Sequence, residues 1–100
     1  MVESFSRKEL SPAEDGRTGI APQQLGRLLG YVSPRGTVQQ LYGILKREGR
    51  WEGDVTLDKQ GRLKWLSLPA AIKICMASYS PKADEVGRWL HNLPRERKQG

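Results

Sequence analysis

The spacing of hydrophobic residues changes along this chain, and its first regular stretch predicts a short helix. Leu25, Leu28 and Leu29 are three and four residues apart, as on one face of a helix. Pro22 suits the first turn of that helix, because a helix start leaves its first N–H groups unpaired anyway. Gly30 is a natural end, since glycine readily adopts the left-handed conformation. We therefore expect a helix that begins near Pro22 and ends before Gly30.

A second amphipathic helix is predicted over residues 34–48. Ser33 would be its N-cap and Pro34 its first residue. Its apolar positions recur at helical spacing and comprise Val38, Leu41, Tyr42 and Leu45. Its polar side carries Arg35, Thr37, Gln39, Gln40, Lys46 and Arg47. Arginine can bind guanine and glutamine can bind adenine through two hydrogen bonds each, so this side suits DNA, although any solvated helix face carries such residues.

Two helices joined by a few residues are the minimum of a helix-turn-helix motif. In that motif a glycine in the turn is followed, at a fixed spacing, by buried apolar positions on the second helix. Gly30 fits the turn glycine, but the buried set that begins at Val38 falls about two residues late. The sequence therefore predicts either a variant of the motif or no such motif.

The apolar period then changes to two, which predicts a β-hairpin. Val55 and Leu57 alternate with polar neighbours, as do Leu63 and Trp65, and Gly61 lies between the two pairs. We expect strands at residues 53–58 and 62–67.

The predicted hairpin is basic. Its cations, Lys59, Arg62 and Lys64, would either form a wing over a phosphate backbone or simply keep an exposed edge soluble. The tryptophans Trp51 and Trp65 are expected to pack in the core or on the hairpin, not to stack on bases.

Two further helices are predicted after the hairpin. Pro69 opens the first, and its apolar face would comprise Ile72, Cys75 and Met76, which makes Cys75 a buried hydrophobe and not a nucleophile. Ser80 and Pro81 would begin the second, with Pro94 closing the domain. The buried face of that last helix would comprise Val86, Trp89 and Leu90.

These elements predict an α+β fold in one small domain, with two N-terminal helices, a β-hairpin and two C-terminal helices. The domain would span residues 19–94. A polar arm, residues 1–18, would precede it, with one short strand around Phe5, and a basic tail, residues 95–100, would follow.

Charge adds a possible partner to this picture. The formal net charge is +6, and residues 19–50 hold five basic side chains against one acidic side chain. A basic surface beside a basic tail is typical of phosphate binding, because each neutralised phosphate releases counterions. Solubility alone is the simpler explanation of the same charge.

Composition excludes several other functions. With one histidine and one cysteine, His91 and Cys75, the chain offers no Cys/His metal cluster and no internal disulfide. No glycine-rich loop follows a strand at the spacing that binds phosphates, so we expect neither an enzyme nor a cofactor. No apolar run approaches the roughly 18 residues of a membrane span. The first ten residues lack the apolar core of a signal peptide, so we expect a cytoplasmic protein.

Two segments resemble the Bro-N domain, the N-terminal module of phage and large-virus antirepressor-type proteins. They are LGRLLGYVSPRGTVQQL and LSLPAAIKICMASYSPKADEVGRWLHNLP. The positions that carry the resemblance are Leu29, Gly30, Tyr31, Ser33, Pro34, Ser78, Pro81, Ala83, Trp89, Leu93 and Pro94. The hairpin that usually opens the family is replaced here by the polar arm, and the usual second domain does not follow. The resemblance implies an α+β DNA-binding module from a phage or another mobile element, at work in the cytoplasm of the host bacterium.

The leading prediction is therefore a small phage-type DNA-binding regulatory protein whose second helix enters a groove of duplex DNA. Near the bases we expect Arg35, Gln39 and Gln40; on phosphates we expect Arg27, Lys46, Arg47 and Arg50, with Lys59, Arg62 and Lys64 on the hairpin. The alternative is a stand-alone phage protein that inhibits a host protein or defence complex by direct binding. An RNA- or ribosome-associated protein is a third reading. A homodimer would suit two-fold symmetric DNA, but no exposed apolar stripe in the sequence identifies its interface.

Overall fold

The structure, a computed structural model, describes residues 10–13 and 15–99, and the side chains of these residues up to residue 93. Over this range it is an α+β fold in one compact domain, as the sequence predicts. Its helices are α1 (Pro22–Leu28), α2 (Pro34–Arg47), α3 (Leu68–Ala77) and α4 (Ala83–Gln99). Its strands are β1 (Gly19–Ile20), β2 (Val55–Leu57) and β3 (Leu63–Ser67). The predicted order of two helices, a hairpin and two helices is confirmed.

The three strands form one antiparallel sheet in the order β1-β3-β2. The predicted hairpin pairs Val55 with Leu66, and its register shifts between Thr56 and Leu57. The short strand β1 was not predicted; it pairs Gly19 with Ser67 on the other edge of β3. The strand expected around Phe5 lies outside the described residues.

The described part of the polar arm lies against the sheet. Ser11 N donates a hydrogen bond to Gly19 O at 2.7 Å, and Ala13 N donates one to Arg17 O at 2.9 Å. The indole Nε1 of Trp65 donates to Ser11 O at 2.6 Å. Trp65 is thus buried beneath the arm, as expected for a packing residue.

Helices α1 and α2 pack closely because Gly26 has no side chain. A Cβ built on Gly26 would lie 2.5 Å from Pro34 Cα, well inside van der Waals contact. Gly30 ends the first helix with a φ of 84°, as predicted. Residues 29–33 then connect the two helices, and this turn is long enough to account for the late register of Val38. The structure therefore contains a helix, a turn and a helix in a variant spacing.

The buried face of α3 differs from the prediction. Met76 is 74 % exposed, whereas Ile74 is fully buried beside Cys75. The alanines Ala70 and Ala71 are also fully buried, and Gly53 packs closely on the first of them: a Cβ on Gly53 would lie 2.6 Å from Ala70 Cα. The prediction used only the large apolar residues of this helix and did not include the small ones that pack closely.

The start predicted for α4 is also wrong. The helix begins at Ala83, because Ser80 and Pro81 form a turn in which Ser80 Oγ accepts a hydrogen bond from Lys82 N at 3.1 Å. It continues through Pro94 to Gln99, since a proline removes one helical hydrogen bond but keeps a helical φ. Its buried face includes Val86 and Leu90 as predicted, and Trp89 is half-buried.

Cys75 should react slowly with disulfide reagents in the folded protein. It is 4 % exposed, and burial raises the pKa of its thiol from 9.0 to about 12. At pH 8 we expect reaction with an aromatic disulfide to be slow in buffer and fast in urea, followed by absorbance. Equal rates would contradict the burial of Cys75. Because the unfolded thiol loses its proton first, the free energy of unfolding should also fall as the pH rises from 9 towards 12.

Candidate nucleic-acid interface

One side of α2 carries a row of residues at helical spacing, which we call the α2 row: Gly36, Gln40, Gly43 and Arg47. Gly43 is half-buried and the other three are exposed. The row lies opposite the buried stripe of Val38, Tyr42 and Leu45. A Cβ on Gly43 would meet no atom within 4 Å, and one on Gly36 would meet only Ser33 Cβ at 3.9 Å. A glycine inside a helix costs about 1 kcal/mol relative to alanine. The packing of the described residues therefore gives no reason for either glycine.

A second side of α2 is bound to the hairpin. Gln39 Oε1 accepts a hydrogen bond from Leu63 N at 2.8 Å. One turn earlier, Arg35 Nη2 lies 3.7 Å from Asp58 Oδ2. Both residues were expected near DNA bases, but the structure places Gln39 in the contact between α2 and β3. One of the two lone pairs of its amide oxygen is therefore already used within the protein.

Replacing Gln39 with alanine should destabilise the protein, whereas the same change at Gln40 should not. The Gln39 variant leaves a half-buried backbone N–H without its acceptor, which typically costs about 1–3 kcal/mol. Gln40 is exposed, and surface changes usually stay within about 0.5 kcal/mol. Urea unfolding of both variants gives the comparison. Equal stabilities would contradict the contact between α2 and β3.

The hairpin turn is ordered by Asp58. Its Oδ1 accepts hydrogen bonds from Gln60 N and Arg62 N, each at 2.9 Å. The bond from Arg62 N is the main reason that the pKa of Asp58 is lowered. The exposed side chains of Lys59 and Arg62 belong to this turn, which the Arg35–Asp58 pair connects to the first turn of α2. The structure thus brings these two cations near α2.

Lys64 lies on a different surface. It lines a groove with Thr56, Trp65 and the arm residues around Asp15 and Arg17. This follows from the alternation of a strand, because Leu63 and Trp65 on either side of it are buried. Lys64 is therefore not grouped with the cations of α2 and the hairpin turn.

The remaining predicted cations differ in how far their charge is offset. Arg50 Nη1 pairs with Glu48 Oε1 at 3.0 Å. Lys46 Nζ lies 5.7 Å from the ring centroid of Tyr42, a favourable cation–π contact that leaves its charge exposed. Within the described part of the chain, no acidic side chain pairs with Arg27, Lys46 or Arg47. Apart from Lys64, the predicted cations that pair with no acidic side chain of the described residues are Arg27, Lys46, Arg47, Lys59 and Arg62.

Another groove has none of these five cations in its lining. It encloses about 560 Å³ and is lined by residues of β3, α3 and α4 together with Arg17 and Asp54. Arg17 is engaged there: its Nε lies 2.9 Å from Asp15 Oδ2 and its Nη1 2.7 Å from Asp54 Oδ2. These carboxylates, Asp54 foremost, raise the pKa of Arg17. This cluster was not predicted, because Arg17 and Asp54 are 37 residues apart along the chain.

Residues 10–13 and 15–99 hold no group of three or more His, Cys, Asp or Glu side chains that could bind a metal ion. None of the helices in this range is both long enough and apolar enough to span a membrane.

The resemblance to the Bro-N domain stays a prediction that rests on two sequence segments. Comparisons with protein-family models, with curated proteins and with solved structures found no match for this chain.

Proposed function

We propose that this protein binds duplex DNA as a small regulatory protein, with the α2 row in a groove and the hairpin turn on the neighbouring phosphates. The observation that carries the proposal is the α2 row itself, where Gln40 and Arg47 alternate with two glycines that the fold does not require. Glycines at such positions let the helix backbone come close to a partner. The regulatory role and the phage setting come from the resemblance to the Bro-N domain.

The dimensions of α2 suit the major groove. The helix has 14 residues and is therefore about 21 Å long. The groove is about 12 Å wide and admits one helix. Because the α2 row lacks side chains at Gly36 and Gly43, the helix can lie deeper in the groove than its average diameter permits.

The side chains of α2 then divide into two groups. Gln40 is exposed and has no hydrogen-bond partner among the described side chains, so both its amide oxygen and its amide nitrogen can meet an adenine. Lys46 and Arg47 lie in the last turn of α2 and suit phosphates. Arg35 can also bind a phosphate. Its ion pair with Asp58 is of the surface type that contributes only about 0–1 kcal/mol, so a phosphate can take the place of the Asp58 carboxylate.

The order of the elements also supports the proposal. In helix-turn-helix proteins the second helix enters the major groove while the first crosses the backbone. Here α2 is the second of two closely packed helices, and the hairpin of β2 and β3 is held against it by Gln39 and Arg35. A helix in the groove would therefore bring Lys59 and Arg62 to the neighbouring backbone.

Fluorescence anisotropy with a labelled duplex of mixed sequence tests this proposal. We expect binding that weakens steeply with salt. In a plot of the logarithm of the association constant against the logarithm of salt concentration, each phosphate contact contributes about −0.9 to the slope. Bovine albumin added to the buffer controls for non-specific adhesion of the labelled duplex. No binding at low salt, or binding indifferent to salt, would overturn the proposal.

A further inference from the structure

Three large hydrophobic side chains are exposed around one groove, which we call the apolar groove. They are Ile44 of α2, Met76 of α3 and Tyr79 in the α3–α4 connection, and they are 39 %, 74 % and 97 % exposed. The groove encloses about 260 Å³ between the C-terminal ends of α2 and α3. Single exposed apolar residues are ordinary, but a cluster around a concave surface is typical of an interaction site.

Tyr79 is held outward by the residues on either side of it. The hydroxyl of Tyr31 is hydrogen-bonded to Ser78 Oγ. Ser80 Oγ donates a hydrogen bond to Leu29 O at 2.5 Å, and Ser80 N donates one to Ser78 Oγ at 3.0 Å. The connection is thus attached to the turn between α1 and α2. An aromatic ring on an ordered backbone loses little conformational entropy when it is covered, which favours it as an interface residue.

The rim of the apolar groove carries one charge of each sign. Glu48 and Arg50 both line it, and their exposed side chains form an ion pair at 3.0 Å. In a two-fold symmetric interface, each patch meets a copy of itself. A rim of one sign would repel its copy, whereas a mixed rim can place each charge opposite its counterpart.

We propose that the apolar groove binds a second copy of this chain, so that two molecules pack groove to groove around a two-fold axis. Tyr79 and Met76 of each molecule cover the groove of the other, and Glu48 faces Arg50 of the partner subunit. The lining of the apolar groove includes Ile44 of α2 but none of the four residues of the α2 row. The proposal goes beyond DNA binding and does not depend on it.

Sedimentation of the full chain without DNA, over a range of concentrations, measures this association. We expect a concentration-dependent dimer, and the substitutions Met76→Glu and Tyr79→Ser should each raise its dissociation constant at least about tenfold. Leu57→Ser is the matched control, because Leu57 is a large apolar residue, 43 % exposed, on β2 and outside the groove. A protein that stays monomeric up to about 1 mM overturns the proposal. Equal weakening by the control does so as well.

Charge exchange tests the two-fold arrangement. Glu48→Arg and Arg50→Glu should each weaken the dimer, because like charges then face one another. An equimolar mixture of the two variants should dimerise again, because each rim charge meets its opposite in the mixed dimer. A mixture that stays as monomeric as its components contradicts the arrangement. Since sedimentation is done without DNA, its result is independent of the anisotropy titration.

Discussion

Replacing Gly26 with alanine should lower the free energy of unfolding by about 3 kcal/mol or more. The added Cβ would lie 2.5 Å from Pro34 Cα and 2.6 Å from Pro34 C. These are backbone atoms at the start of α2, so they cannot rotate away as a side chain could. The two helices must instead move apart, which loosens the packing of Leu25 and Val38, both fully buried. A domain of this size has only about 5–15 kcal/mol of stability in total.

Gly43→Ala is the matched control for Gly26→Ala. It is the same chemical change on the neighbouring helix, but its Cβ would meet no atom within 4 Å. We expect it to raise the free energy of unfolding by about 0.5–1 kcal/mol, because alanine favours a helix more than glycine does. Urea unfolding followed by tryptophan fluorescence measures both variants. If Gly26→Ala were as stable as the wild type, the close packing of α1 on α2 would be wrong.

The double variant Lys46→Ala, Arg47→Ala should bind duplex DNA about a hundredfold more weakly than the wild type. Both side chains lie in the last turn of α2, and no acidic residue of the described chain pairs with either. A hydrogen bond to a charged group is worth about 1.5–3 kcal/mol, and each 1.4 kcal/mol is a tenfold change in affinity. Two lost phosphate contacts at the lower end of that range therefore give about a hundredfold.

Lys82→Ala, Arg88→Ala is the charge-matched control for this variant. It also removes one lysine and one arginine, both exposed, but from the start of α4 and the turn before it. The overall charge of the two variants is the same, so a general attraction between protein and DNA would weaken equally in both. We expect the control to keep nearly all of its affinity. An equal loss in the two variants would mean that no particular surface is used.

The fold could be predicted largely because its elements follow local periods. The helical spacing of Val38, Tyr42 and Leu45 identified α2, and the alternation of Leu63 and Trp65 identified β3. These signals depend only on residues within one element. The two residues of β1 were missed because a strand so short has no period, and it exists only through its pairing with β3.

The candidate site could be predicted only in part, because its contacts join distant residues. Gln39 and Gln40 are chemically identical in the sequence, yet one contacts Leu63, 24 residues away, and the other is exposed. The bonds that hold Tyr79 outward span 47 and 51 residues. Met76 was assigned to the core because helical spacing alone cannot tell which face of α3 the small alanines occupy.

Salt-dependent titration of the wild type and the two double variants decides whether this protein binds duplex DNA through α2. The slope of the logarithm of the association constant against the logarithm of salt concentration reports how many phosphates are neutralised. We expect Lys46→Ala, Arg47→Ala to make this slope shallower by about 2, and Lys82→Ala, Arg88→Ala to leave it unchanged. Equal slopes for the wild type and both variants, or an equal change in both, would contradict DNA binding through α2.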